Sequence, residues 1–258
     1  MKKYDEELVV VENSRLNERY FLLKLERETP LPDILPGQFV NILVKDSPTT
    51  FLRRPISVNL VDRVKNQLWL LIAIAGDGTR HLSYLQKGNT LDILYPLGNS
   101  FTIPKNTNEK VLLVGGGVGT APMLFLGKSL KEQGFNPIFL LGARKAKDLL
   151  QLQEFERWGT VCTTTEDGSY GEKGFVTQHS ILKKEQFDHI FVCGPTPMMK
   201  AMARYAVQNN IDCEVSLENK MACGVGACLC CVEKTTGGNK CVCTKGPVFN
   251  IKDLLWQI

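Results

Sequence analysis

From Glu7 to about Pro104 the apolar residues come in short runs separated by polar, glycine or proline breaks. Leu8–Val11, Tyr20–Leu25, Gln38–Val44 and Leu68–Ile74 are of strand length, rich in β-branched and aromatic side chains. Several short strands at this spacing predict a small antiparallel β-barrel, with one helical turn over Leu82–Leu85. From Lys110 the pattern changes. Lys110–Val114 is a continuous apolar run, as in a strand buried on both faces, and a helical pattern follows over Met123–Gln133. Strand patterns at Pro137–Arg144, Thr160–Thr165 and His189–Val192 then alternate with helical ones at Asp148–Trp158 and Phe175–Lys184. That alternation predicts an α/β domain with a parallel sheet. The expected architecture is multi-domain: a β-barrel over 1–105, an α/β domain over 106–213, and a small cysteine-rich domain over 214–258.

Six of the nine cysteines fall between Cys223 and Cys243. Cys223, Cys228 and Cys231 read C-x4-C-x2-C, the spacing of plant-type [2Fe-2S] sites, which take a fourth cysteine further on. The residues between them are small (Gly224, Gly226, Ala227), so the backbone can approach an inorganic core and turn N–H groups toward sulfur. A zinc site would more often show two C-x2-C pairs or His partners, and no His lies beyond His189. A disulfide knot suits a small secreted chain. On spacing alone the fourth ligand is open among Cys230, Cys241 and Cys243.

Composition narrows the class. At 258 residues, 43% hydrophobic and 22% charged, the chain suits a soluble globular protein of two domains with an appendix. Net charge is +4 with scattered lysines, which makes no case for nucleic acid. No apolar run reaches the ~18 residues of a membrane span. Met1–Glu7 is charged and lacks a signal-peptide core, and free cysteines without a secretion signal point to a reducing cytoplasm.

Two further motifs carry chemistry. The strand at Lys110–Val114 runs into Gly115-Gly116-Gly117-Val118-Gly119-Thr120-Ala121-Pro122, and Pro122 suits a helix start. Strand, glycine turn and helix N-terminus together make a pyrophosphate site. Cys193-Gly194-Pro195 ends another expected strand and is expected at the same crevice. Arg144 and Lys145 would favour a 2′-phosphate and Glu166 and Asp167 would repel one, which leans to NAD over NADP. In the barrel, Arg53-Arg54-Pro55-Ile56-Ser57 offers a guanidinium fork on a stiff extended segment, and Gly76–Arg80 is a glycine turn able to face phosphate. A nicotinamide exchanges two electrons at once and a [2Fe-2S] centre exchanges one. Joining them calls for a flavin, and the barrel is the one unassigned region large enough to hold it.

These residues also carry a resemblance. Arg54-Pro55-Ile56-Ser57 resembles the flavin motif of the ferredoxin–NADP⁺ reductase superfamily, and Gly115–Pro122 and Cys193–Pro195 look like its pyridine-nucleotide motifs. The cysteine motif, from Met221 to Cys228 and on to Cys243-Thr-Lys-Gly-Pro-Val-Phe249, is more specific. It resembles the electron-transfer subunits of class B dihydroorotate dehydrogenases over nearly the whole chain. The resemblance implies cluster ligands at Cys223, Cys228, Cys231 and Cys243. It implies FAD contacts at Arg54, Pro55, Ile56, Ser57, Leu71, Ile72, Ala73, Gly78 and Thr79, and NAD contacts at Gly115, Gly116, Gly117, Gly119, Thr120, Cys193, Gly194 and Pro195. Ile72-Ala73 departs from an aromatic–basic pair of many members, so only backbone contacts carry over there, with Arg80 a candidate for the missing charge. The resemblance further implies electrons from dihydroorotate oxidation, in pyrimidine biosynthesis, on a separate FMN subunit, in a heterotetramer of two chains of each kind. Nothing in this chain supplies a second flavin fold or a base for a carbon-bound proton. The cluster loop and the apolar tail (Val248, Phe249, Leu254, Leu255, Trp256, Ile258) are expected to form the partner surface, or the tail to pack into its own barrel. Competing readings are a subunit of an NADH-dependent ferredoxin:NADP⁺ oxidoreductase, a redox sensor without turnover, and a zinc-stabilised binding module.

Overall fold

The computed structural model describes residues 2–45 and 47–256. Its N-terminal part is built from β1 (Tyr4–Arg15), β2 (Tyr20–Glu26), β3 (Phe39–Ile42), β4 (Arg54–Ser57), β5 (Leu60–Asp62), β6 (Gln67–Ala73), the short helix α1 (Asp77–Leu82) and β7 (Thr90–Leu97). The strands form one antiparallel sheet in the order β4-β3-β7-β1-β2-β6-β5, curled as a half-barrel. Leu8, Val10, Phe21, Leu23, Leu25, Val40, Ile42, Leu68 and Leu70 are fully buried and fill it. The expected turn at Leu82–Leu85 proves to be α1, five residues earlier. Gly76 caps it in extended conformation and Asp77 opens it, an acid at the positive end of the helix dipole. The glycine turn expected at Gly76–Arg80 is therefore the start of this helix.

The second part comprises β8 (Val111–Gly116), α2 (Thr120–Glu132), β9 (Ile138–Ala143), α3 (Leu152–Glu156), β10 (Thr160–Thr165), β11 (Glu172–Lys173), α4 (Ile181–Lys184), β12 (His189–Cys193), α5 (Thr196–Gln208) and β13 (Asp212–Ser216). Its sheet has the order β11-β10-β9-β8-β12-β13, all parallel, as the alternating pattern predicts. Two expected helices are shorter than predicted. Over 148–158 only Leu152–Glu156 is helical, because Gln151 is left-handed at φ +56°. The Gln151 amide is held by the barrel instead: it exchanges hydrogen bonds with the Asn59 side chain (3.2 and 3.1 Å), and Asn59 Nδ2 also donates to the Ala121 carbonyl (3.1 Å). Over 175–184 a 3₁₀ turn at Val176–Gln178 and α4 are separated by extended His179, where the Glu172 carboxylate accepts from Ser180 N–H and Oγ–H.

The remaining residues do not leave the second sheet. Beyond the hairpin β14 (Val232–Thr235) and β15 (Gly238–Cys241) and the turn of helix α6 (Val242–Lys245), strand β16 (Val248–Asn250) returns antiparallel to β13, with Phe249 opposite Val215. Strand β13 itself straddles the expected division between 213 and 214. The apolar tail is thus divided. Val248, Phe249 and Leu254 are buried, Trp256 packs beside Lys200, and Leu255 stays exposed. Its main anchorage is the nucleotide sheet rather than the barrel, because β13 offers an open edge to pair with. Ile258 lies outside the described residues. Among the described residues no helix is long and apolar enough to cross a membrane.

Candidate functional site

A cleft of about 600 Å³ lies at the carboxyl ends of the parallel strands. Burial of the apolar side chains of β8 and β12 sets their ends side by side, with Cys193 opposite Gly115. The chain turns sharply there. Gly117 has φ +57°, and a Cβ on Gly119 would run into the Cys193 carbonyl. A Cβ on Gly116 would overlap the Met198 sulfur, so both strand-end turns need bare backbone at this approach. Thr120 opens the thirteen-residue α2 and donates Oγ–H to Gly117 O at 3.0 Å. The helix N-terminus therefore lies behind the glycine turn with its positive dipole end toward the cleft.

Of the residues expected at NAD, Gly116, Gly117, Gly119, Gly194 and Pro195 line this cleft. Gly115, Thr120 and Cys193 are buried behind it. Burial pushes the Cys193 thiol up, with Glu218 adding to the shift and Ser216 opposing it. At the outer end Arg19, Arg144, Asp148 and Glu166 line the wall, whereas Lys145 and Asp167 do not. Asp167 is turned to Ser169, whose Oγ–H and N–H hold its carboxyl below the usual range. Sequence reasoning missed Tyr20, Phe175 and Glu218 in the same wall. Glu218 follows β13 by two residues, so the rule that ligands sit beyond the carboxyl ends of strands would have found it. Glu218 is exposed where it opens on the cleft, and the protein packed round its carboxyl nonetheless raises it.

The second cleft, about 490 Å³, brings Arg54, Pro55 and Ile56 of β4 together with Gly78 and Thr79 of α1. Arg53 and Arg54 have separate roles. Arg53 is tied to Asp92 (2.7 Å) and Asp5 (3.1 Å) and serves the sheet. Arg54 donates only through Nε, to the Leu52 and Arg53 carbonyls, and its terminal nitrogens find no partner among the described residues. A planar fork with free donors beside a bare glycine fits a pyrophosphate. Thr50 packs closely enough that a Cβ on Gly78 would meet its methyl at 2.9 Å. Leu71 and Ile72 are barrel core at 1% exposure, and neither they nor Ser57 line either of these two clefts. Ala73 lines the larger cleft beside Tyr20. That cleft is thus walled by both the barrel and the nucleotide turn. Arg80 is exposed and lines neither cleft.

The cysteine segment gathers its sulfurs by unusual backbone. Gly224 and Gly226 have φ +72° and +85°, and Leu229 is left-handed at +57°. Val225 N–H and Cys228 N–H both point at Cys223 Sγ at 3.4 Å, and Cys243 N–H points at Cys231 Sγ at 3.4 Å. The Val225 N–H foremost, with Cys228 and Ala227, pulls the Cys223 thiol down to about 6. Burial first, then Cys231, pushes Cys243 up to about 12. Donors aimed at one sulfur and a second pair buried beside it suit a sulfur-ligated cluster. Among the described residues no three of His, Cys, Asp or Glu, the cysteines of this segment included, are grouped closely enough to hold a metal ion. Cys230 is exposed and Cys241 half-buried.

Comparison with known proteins agrees with this geometry. Residues 218–255 match the family model of the iron-sulfur cluster binding domain of dihydroorotate dehydrogenase B, and 113–204 that of the oxidoreductase NAD-binding domain. The dihydroorotate dehydrogenase B (NAD(+)) electron transfer subunit of Bacillus velezensis is 38% identical over 96% of this chain and 97% of its own. That of Fusobacterium nucleatum is 37% identical, covering 96% and 98%. Among solved structures, a chain of the NADH-dependent reduced ferredoxin-NADP oxidoreductase superposes with a TM-score of 0.87 at 32% identity, covering 96% of this chain and 90% of that one. A ferredoxin reductase of carbazole 1,9a-dioxygenase, at 22% identity and a TM-score of 0.69, shares the fold. With clefts, cysteine segment and full-length relatives in agreement, this chain belongs to the family of dihydroorotate dehydrogenase B electron transfer subunits.

Proposed function

We propose that this chain passes electrons from dihydroorotate oxidation, on a separate FMN-containing catalytic subunit, to NAD⁺, with FAD and a [2Fe-2S] cluster as its resident cofactors. The observation that carries the reading is the larger cleft. Its two walls come from the nucleotide turn and from the barrel, and a second cleft, in the barrel, holds an arginine with free terminal nitrogens. When bound, the cluster exchanges single electrons, the flavin one or two, and the nicotinamide a hydride. The chain's own residues do the rest. Arg54, Gly78 and Thr79 would hold the FAD pyrophosphate, and Pro55, Ile56, Ser57 and the backbone of Leu71-Ile72-Ala73 would orient the ring. Gly115–Thr120 and Cys193–Pro195 would hold NAD, with Glu166 at the outer wall disfavouring a 2′-phosphate. Cys223, Cys228, Cys231 and Cys243 would ligate the iron. We assign 1–105, 106–213 and 214–258 to these three cofactors, the last segment anchored on the second sheet. The assembly in this reading is a cytoplasmic heterotetramer of two chains of each kind.

Anaerobically purified protein should carry one FAD and two irons per chain and should oxidise NADH with a one-electron acceptor. Colourless protein, or zinc without flavin, would overturn the proposal. Cys243→Ser should lose the cluster and Cys230→Ser should keep it; equal loss in both would refute the ligand set. A second reading rests on the likeness to the NADH-dependent reduced ferredoxin-NADP oxidoreductase. The chain that co-purifies separates the two: a dihydroorotate-oxidising FMN protein supports the first, a ferredoxin-reducing one the second.

A further inference from the structure

Residues 222–230 have no helix or strand of their own, and their backbone N–H groups at Val225 and Cys228 are directed at sulfur. Something outside the loop must therefore fix where the cysteines stand relative to the barrel. Two barrel asparagines meet the segment at its two ends. Asn41, in β3, is completely buried. Its Nδ2 donates to the Ala222 carbonyl at 3.4 Å, immediately before the first cysteine. The same nitrogen lies where Gly224 comes closest, 2.8 Å from the position a Cβ would take. Its Oδ1 has no partner among the described residues. Asn99, just beyond β7, grips the other end. Its N–H donates to Gly246 O (2.6 Å), its Nδ2 to Lys245 O (3.2 Å) and Val248 O (2.8 Å), and its Oδ1 accepts from Val248 N–H (3.0 Å). Four hydrogen bonds from one side chain and its backbone thus follow directly on Cys243. Gly98, at φ +77°, brings this corner against Pro247, where a Cβ would lie 2.5 Å from the ring.

The strand that bears Asn41 is also the neighbour of the arginine motif. Asn41 stands opposite Pro55 and Phe39 opposite Ser57, and cross-strand partners have Cβ atoms about 5 Å apart. Phe39 and Leu97 in turn pack in one apolar cluster with Met221, Cys231 and Cys243. Loop and flavin strand are therefore referenced to the same two residues' worth of backbone.

We propose that Asn41 and Asn99 are positioning residues, clamping the two ends of the cysteine segment to the barrel and so setting the cluster's environment and its separation from the flavin strand. The inference rests on the cofactor reading above. Partners one shell out from a metal's ligands commonly change its affinity or activity ten- to a hundredfold when removed. Asn41→Leu removes one long hydrogen bond and an unpartnered acceptor together, a change close to neutral for folding because half-exposed Ala222 can turn to water. Its effect should fall on the cluster.

The test uses the full chain purified anaerobically with its cofactors. Iron release to a chelator, the electron paramagnetic resonance signal of the dithionite-reduced protein and the cluster's reduction potential are measured for wild type, Asn41→Leu, Asn99→Ala and Asn99→Asp. Asn41→Leu and Asn99→Ala should each release iron roughly tenfold faster, with an altered signal and wild-type FAD content. The melting temperature of the iron-free protein should stay at the wild-type value in Asn41→Leu and fall in Asn99→Ala, which loses three side-chain hydrogen bonds. Asn99→Asp keeps the acceptor for Val248 N–H but sets a carboxylate oxygen against the Lys245 and Val248 carbonyls, so it should release iron at least as fast as Asn99→Ala. Wild-type iron release, signal and potential in both Asn41→Leu and Asn99→Ala would overturn the inference. So would loss of FAD in step with iron, since that marks a general structural role. Wild-type protein without a cluster would instead sink the cofactor reading itself.

Discussion

Strand β8 is buried at all six positions, whereas within residues 222–230 only Gly224 is buried. The two stretches lie in one chain, yet their order has different sources. Val111–Val114 are at 0% exposure and enter the sheet because water is excluded from both faces. The cysteine loop buries almost nothing, adopts three left-handed residues, and directs its donors at sulfur. The sheet can hold itself together; the loop draws its order from sulfur ligation and from barrel side chains.

The sharpest way to break that contrast is a core truncation. Leu113→Ala, in the middle of β8 at 0% exposure, should cost about 2–5 kcal/mol in denaturant unfolding, equally with and without iron. A cost that vanished in the iron-free protein would mean that the cluster, not the core, supports the sheet.

Iron removal is the reverse experiment. Chelation should abolish amide-exchange protection through 222–231 and open the exposed Ala227–Leu229 stretch to proteases, with β8 and β12 protected as before. Faster exchange in β8 would merge the two regions into one cooperative unit.

A smaller effect is expected where the glycine turn meets β12. Gly119→Ala would drive a methyl into the Cys193 carbonyl and shift the turn by the width of that overlap. NADH affinity should fall about tenfold, ~1.4 kcal/mol, with FAD and iron content unchanged. Titration of the variant at wild-type affinity would show that this turn does not carry the pyrophosphate.

The same contrast explains what could be read from sequence. The parallel strands were legible because apolar runs and glycine punctuation repeat with the period of the structure, and their ends located the larger cleft. The helices at 148–158 and 175–184 are shorter than their patterns predict because Gln151 pairs with Asn59 of the barrel, and because beside extended His179 the Glu172 carboxylate accepts from Ser180 N–H and Oγ–H. Cysteine spacing announced the sulfur site but not its setting. Asn41 and Asn99 are single polar residues within or beside strands, and their partners lie 181 and 149 residues away, a relation no local pattern encodes. Tyr20 escapes for a similar reason, and Ala73, expected at FAD, was not expected to share a cleft with the nucleotide turn; both placements depend on how the two sheets meet.

The smallest expected effect concerns Glu218, where the cysteine segment leaves the sheet. Burial raises its carboxyl above the ordinary 4.5, and its charge in turn disfavours ionisation of Cys193. A carboxyl that holds its proton longer folded than unfolded makes stability fall as pH rises through the interval between the two values. Glu218→Gln cannot ionise, so it should melt higher than wild type at neutral pH, by an increment that shrinks as the medium is acidified below that interval. Thermal melts of both proteins across the acid-to-neutral range read this directly. An increment independent of pH would mean that the variant acts through packing, and that the charge at the head of the cysteine segment is solvated as freely as the loop it precedes.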